Sequence, residues 1–120
     1  MKKSILITGC SSGIGLCVAR GLQARGYRVF ATVRRHESVQ ALLAEGLESF
    51  QLNLTDSNSI NFAFEEVMRR TGGELYAVFN NGAFGLPGAV EDLSREALRA
   101  QFETNVFGWQ ELTNLVIPVM

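Results

Sequence analysis

Hydrophobic positions change period along the chain, and the changes divide it into short apolar runs and helical stripes. Ile5-Leu6-Ile7 is a short apolar run followed at once by glycine and serine, which predicts a first strand. Ile14, Cys17, Val18, Gly21 and Leu22 then recur at helical spacing up to a stop at Gly26. Tyr27 to Val33 is rich in β-branched and aromatic residues and predicts a second strand. Val39, Leu42 and Leu43 mark a short helix ended by Gly46, and Phe50, Leu52 and Leu54 alternate in a third strand. Thr55 or Asp56 is placed to cap the next helix, whose face is Ile60, Ala63, Phe64, Val67 and Met68 and whose end is Gly72-Gly73. Leu75 to Phe79 is a continuous apolar run of the kind buried on both faces of a parallel sheet.

After it, Asn80 to Gly88 predicts a loop containing Pro87, and Ser94 an N-cap with Leu93 and Leu98 as a staple across it. The pattern is helical from there to Met120, with a break expected near Asn105 to Gly108 and another before Pro118. Strands alternating with helices predict an α/β fold: a parallel, doubly wound sheet with right-handed crossovers, here about four strands. A single domain over residues 1–120 is expected, incomplete as a doubly wound unit.

Composition narrows the function. Of 120 residues 47% are hydrophobic, including eight Phe, enough for a substantial core. A formal net charge of -1 provides no basic field for nucleic acid or an anionic membrane surface, so neither partner is expected. No apolar run approaches the roughly 20 residues that span a bilayer, and the residues before Ile7-Thr8-Gly9-Cys10 are too few for a targeting segment. Cys10 and Cys17 lie in a turn and on a helix, a spacing that suits neither a metal pair nor a disulfide framework. They are expected as small hydrophobes in a reducing cytoplasm, and no metal site is expected.

The chemistry-bearing segment is Thr8-Gly9-Cys10-Ser11-Ser12-Gly13-Ile14-Gly15, a glycine-rich turn between a strand and a helix. Gly9 permits a sharp exit from the strand, Gly13 admits close backbone approach to a pyrophosphate, and Gly15 allows tight helix packing. Unpaired N–H groups at the helix start then favour an anion. Asn80-Asn81-Gly82-Ala83 follows the fourth strand, and Asn105-Val106-Phe107-Gly108 lies in a helix.

In these three segments the chain resembles the short-chain dehydrogenases/reductases over essentially its full length. The resemblance implies a Rossmann-type fold and hydride transfer between a nicotinamide cofactor and a carbonyl or secondary alcohol. It implies that Gly9, Ser11, Ser12, Gly13, Ile14 and Gly15 line the cofactor pyrophosphate and adenosine ribose, that Asn53 and Leu54 flank the adenine, and that Asn80 holds a ribose beside Gly82 and Ala83. The family often has Asp where Asn53 stands, and usually reads Asn-Asn-Ala-Gly where this chain has Asn80-Asn81-Gly82-Ala83, so Ala83 is expected to be strained if that position needs positive φ. Thr32 takes the place of the acidic residue expected at the end of strand two, with Arg34 and Arg35 close behind, which favours NADP(H) over NAD(H). Asn105 resembles the family's catalytic Asn, which holds a water of the proton relay through a local helix distortion. The family's Ser and Tyr-x-x-x-Lys are not found in these 120 residues: Tyr27 and Tyr76 are followed four residues later by Ala31 and Asn80. These residues alone are therefore expected to be inactive.

His36 is expected as an exposed helix-start residue, and Phe102, Phe107, Leu112, Leu115 and Val116 as packing residues. Phe102 or Trp109 is an alternative contributor to a homo-oligomer formed through the helices from Ser94 onward. The start of the chain and the loop at Phe84-Gly85 look similar to family members handling steroids, retinoids and other lipophilic alcohols. The alternatives are a non-catalytic dinucleotide-binding module or a nonfunctional remnant.

Overall fold

In the computed structural model, which describes residues 2–120, four parallel strands form one sheet with helices on both faces. The elements are β1 (Ser4–Ile7), α1 (Gly13–Ala24), β2 (Arg28–Val33), α2 (Val39–Ala44), β3 (Glu48–Gln51), α3 (Ser57–Thr71), β4 (Ala77–Phe79), α4 (Arg95–Phe102) and α5 (Trp109–Val116). The strand order is β3-β2-β1-β4, so the chain winds outward from β1 to β3 and then crosses to the other side. Ile5 pairs with Val29 on one side and Ala77 on the other, which fixes the register around β1.

Alternation along the strands sorts the core into two layers. Ile5, Ile7, Val29, Ala31 and Val33 pack with Ala19, Val39 and Leu42 on the α1 and α2 face. Leu6, Phe30 and Phe50 pack with Ile60, Ala63, Val67, Leu112 and Val116 on the α3 and α5 face. The central strands are buried on both faces, as a parallel sheet covered by crossover helices requires.

The local signals for α3 act as expected. The Asp56 carboxylate accepts from the N–H groups of Asn58 and Ser59, and Gly72 ends the helix at φ 72°. Four sequence expectations shift. On α1 the face is rotated: Gly15 and Ala19 are buried, whereas Ile14 is 70% exposed and Cys17 is also exposed. Strand β3 stops at Gln51, and Leu52 and Leu54 enter the core from the connection that follows it. β4 is limited to Ala77–Phe79 and only half buried, because it forms the sheet edge with β1 as its sole neighbour. Phe102 and Phe107 are about half exposed and lie 6.3 Å apart, while Leu112 and Val116 are buried as expected.

At the start of β2 and β3, away from the glycine turn, Arg28 pairs with Glu48 at 2.7 Å and Arg70 bridges Glu48 and Glu66. Arg28 also lies over the Phe30 ring, so this network closes the bottom of the sheet. The opposite, C-terminal ends of the strands are left for a ligand, and the winding reverses there between β1 and β4.

Candidate cofactor-binding site

The turn from β1 to α1 is shaped by close backbone approach. Gly9 has φ 69°, and a Cβ on it would lie 2.6 Å from the Gly82 Cα. A Cβ on Gly15 would meet the Gly9 carbonyl oxygen and the Asn81 amide nitrogen well inside contact distance. Gly15 thus brings α1 against the turn itself, and any larger residue at either position must move backbone. Ser12 precedes α1 in an extended conformation with no capping hydrogen bond, and no acidic residue occupies the first turn. The helix start keeps its free N–H donors and its partial positive charge.

Thr8 and Asn81 tie this turn to the loop after β4. The Thr8 hydroxyl oxygen accepts from the N–H groups of Asn81 (3.1 Å) and Gly82 (2.8 Å), and the Asn81 side chain donates to the carbonyls of Thr8 and Gly9, both at 3.1 Å. From the other side, the Trp109 indole N–H donates to the Gly82 carbonyl at 2.6 Å. Trp109 is therefore turned inward, against the core. No residue other than glycine has positive φ among the described residues, so the expected strain at Ala83 is absent. Gly82 is itself at ordinary φ and serves by its small size, close to Leu54 and Thr8.

Between these segments lies a cleft of about 430 Å³. Of the expected residues, Gly9, Ser11, Ser12, Ile14, Arg34, Asn53, Leu54 and Gly82 line it, together with Asn81, Ala83, Phe84 and Thr104. A second cavity of about 670 Å³ adjoins it, lined by Arg34, Arg35, His36, Gln51, Asn53 and Thr55 among others, with Glu37 its one carboxylate. Gly13 and Gly15 lie in the first turn of α1 without lining the cleft. Asn80 also stays outside: its amide donates to the Thr113 hydroxyl at 3.2 Å, and its buried carbonyl oxygen has no partner among the described residues.

Thr32 does not face the cleft. It is fully buried, and its hydroxyl donates to the Ile7 carbonyl at 2.9 Å, because β2 runs through it to Val33, as expected, with the Thr32 side chain on the core face. The first side chain free of the strand is Arg34. Neither Arg34 nor Arg35 has a carboxylate partner among the described residues, in contrast to Arg20, Arg28, Arg69 and Arg70. His36 is exposed, as expected, in a single 3-10 turn over His36–Ser38. Cys10 is buried under the turn, and burial pushes its thiol up to about 12, so it is not a nucleophile at neutral pH.

The expected break near Asn105 is a π-helical segment, Glu103–Gly108, between α4 and α5. It brings the Asn105 amide onto the loop: Nδ2 donates to the Phe84 carbonyl at 2.8 Å, and Oδ1 accepts the Phe84 N–H at 3.1 Å. Gln101 supports the same clamp by donating to the Phe84 carbonyl at 3.3 Å. The Asn105 side chain thus fixes the loop and is not directed into the cleft. Among the described residues no group of three or more His, Cys, Asp or Glu is arranged to hold a metal, and no helix is long and apolar enough to cross a membrane.

A glycine turn locked to the loop after β4, with unpaired donors at a helix start, has the geometry of a dinucleotide site, and the short chain dehydrogenase family model matches residues 3–120. The chain belongs to the short-chain dehydrogenase family. An Escherichia coli (strain K12) relative named as an uncharacterized oxidoreductase, YbbO, is 39% identical over 120 residues, covering all of this chain and 45% of the relative. Retinol dehydrogenase 8 of Homo sapiens is 34% identical over 128 residues, covering 98% of this chain and 40% of that protein. The crystal structure of a short-chain dehydrogenase from Streptomyces avermitilis superposes with a TM-score of 0.92 at 34% identity, covering 99% of this chain and 44% of that one. This short-chain dehydrogenase chain therefore spans less than half the length of these relatives, and its fold is the Rossmann-like α/β fold of the family.

The residues that the sequence did not single out are those acting across long separations. Thr8 and Asn81 were visible as motif neighbours, but their pairing spans 73 residues, and no local period reports it. Trp109 carried no signal for its bond to Gly82.

Proposed function

We propose that the chain binds NADP(H) and forms the cofactor side of an oxidoreductase that moves hydride between the nicotinamide and a carbonyl or secondary alcohol. The observation that carries this reading is the pair Arg34 and Arg35, which leave β2 with no carboxylate partner among the described residues, Arg34 at the junction of the two cavities and Arg35 in the larger one. An unpaired guanidinium there suits the 2′-phosphate by bidentate, charge-assisted bonds, and no carboxylate at the strand end repels it. The glycine turn suits a dinucleotide, because Gly13, at φ 62°, has open space where a Cβ would stand and lets a ligand approach the backbone at the start of α1.

In this reading Ser11, Ser12 and the first N–H groups of α1, with Gly13 and Ile14 beside them, hold the pyrophosphate. Arg34 holds the 2′-phosphate, Asn53 and Leu54 flank the adenine, and Gly82 leaves room for the cofactor, with Asn80 supporting the loop end from below. The bound cofactor supplies the hydride. Asn105 acts as a positioning residue: its clamp on Phe84 sets the loop that borders the cleft, and the π-helical turn around it keeps that backbone from regular helical pairing. The sequence holds no Tyr-x-x-x-Lys to move the proton, so these 120 residues are expected to bind cofactor without turnover.

For the substrate we propose a lipophilic alcohol or carbonyl of steroid or retinoid type, supported by the likeness to retinol dehydrogenase 8 and by exposed Phe84 and Leu86 on the loop beside the cleft. We place the protein in the cytoplasm, with a homo-oligomer formed through the helices from Ser94 onward, where Leu98, Phe102 and Phe107 are exposed. The test is Arg34→Ala, measured by cofactor fluorescence titration. Loss of a charge-assisted contact worth roughly 1.5–3 kcal/mol should weaken NADPH by about ten- to a hundredfold and leave NADH within about twofold. Equal losses for the two cofactors refute the assignment.

A further inference from the structure

Arg34 and Asn53 are the two residues that border both cavities, and they lie at the ends of neighbouring strands. The Asn53 side chain is held in one orientation. Its Oδ1 accepts from the Thr55 N–H at 3.1 Å and from the Thr55 hydroxyl at 2.8 Å, while its own backbone N–H donates to the Ser59 hydroxyl at 2.8 Å. A backbone N–H donates only, so this contact fixes which end of the amide is oxygen. The other end, Nδ2, has no partner among the described residues and is not a buried orphan. Its two N–H groups form a fixed donor at the wall shared by the cavities.

We propose that Asn53 reads the cofactor base as a hydrogen-bond donor, so that this protein accepts a 6-oxopurine dinucleotide about as well as an adenine one. The inference rests on the cofactor reading above. Adenine presents acceptors at N1 and N7 and a donor at its 6-amino group, whereas hypoxanthine presents acceptors at N7 and at its 6-oxygen and a donor at N1–H. On the edge that carries N7 and the 6-substituent, a donor at residue 53 finds N7 on either base and the 6-oxygen on hypoxanthine as well. A carboxylate there has acceptors only, so it pairs with the 6-amino group and opposes the 6-oxygen. The Thr55 contacts keep one oxygen of an introduced Asp in place, which leaves the second oxygen where Nδ2 now lies.

The experiment compares dissociation constants of NADPH and its hypoxanthine analogue for the whole protein, by fluorescence of the reduced nicotinamide. The wild type is expected to bind the two within about threefold, and Asn53→Asp to favour adenine by about tenfold or more, because hydrogen bonds to charged groups discriminate on that scale. A wild type that rejects the hypoxanthine dinucleotide tenfold or more while binding NADPH overturns the inference and leaves the cofactor reading standing. So does an Asn53→Asp variant that binds NADPH with an unchanged ratio. Failure of the wild type to bind either dinucleotide overturns the cofactor reading and the inference together. The wild-type comparison decides the matter even if the variant does not fold.

Discussion

Trp109→Phe removes one hydrogen atom from the loop's support and keeps most of the aromatic bulk. In the native protein the indole N–H donates to the Gly82 carbonyl at 2.6 Å, while the Gly82 N–H is held by the Thr8 hydroxyl at 2.8 Å. Phenylalanine leaves the carbonyl without its donor. The net hydrogen bond is worth about 0.5–1.5 kcal/mol, and an orphaned buried acceptor costs about 1–3 kcal/mol. Gly82 is only half buried, so water recovers part of the second figure. Loss of the five-membered ring from a side chain packed against the core adds to the first. The expected destabilisation is about 2 kcal/mol, equivalent to a melting temperature lower by roughly 6–10 °C for a domain of this size. Urea unfolding followed by far-UV circular dichroism measures it, with the slope m unchanged if the native fold is retained. A loss below about 0.5 kcal/mol would mean that the Trp109 bond does not hold the loop, and the positioning argument for Gly82 would fall with it.

Two further predictions use groups away from the cleft. Glu66 is held down to about 2 by hydrogen bonds from Arg69 and then Arg70. A carboxylate with a depressed folded pKa contributes stability above its unfolded pKa, near 4.5, and loses it as pH falls toward about 2. Glu66→Gln should therefore cost less than about 1 kcal/mol at pH 7, since partly solvated ion pairs are weak, and the difference in urea midpoint should close as the pH approaches 2. A difference independent of pH would show that packing, and not charge, is responsible. The second prediction concerns the thiols: at pH 8 a thiol reagent should modify exposed Cys17 and spare Cys10 until the protein is unfolded in urea, because Cys10 is buried and its pKa is raised to about 12. Rapid modification of two thiols in the native protein would contradict the placement of Cys10.

Elements governed by local rules were legible in advance. The helix from Ser57 announced itself through Asp56, the Ile60 to Met68 stripe and Gly72, each acting within one or two turns. The break at Asn105 was also expected, though its form as a π-helical segment was not. Misreadings arose where a neighbour in space sets exposure. On α1 the stripe containing Ile14 and Cys17 competes with one containing Gly15 and Ala19, and the smaller residues are buried because α1 lies close against the turn and the Asn81 side chain. Strand β2 ends at Val33 as expected, but its pairing with β3 turns the Thr32 side chain into the core, away from the ligand end where an acidic residue was looked for.

The order of residues by itself determined the alternation of strands and helices, the glycine turn after β1, and membership of the short-chain dehydrogenase family, because periodicity, caps and turn chemistry act over a few residues. Tertiary structure decided which donors and acceptors remain free. It occupies Asn105 with Phe84, Trp109 with Gly82 and Asn80 with Thr113, and leaves the Arg34 guanidinium and the Asn53 Nδ2 at the cleft without a partner among the described residues. A side chain's hydrogen-bonding capacity is written in its residue type, but what remains of it is settled by partners that lie tens of residues away.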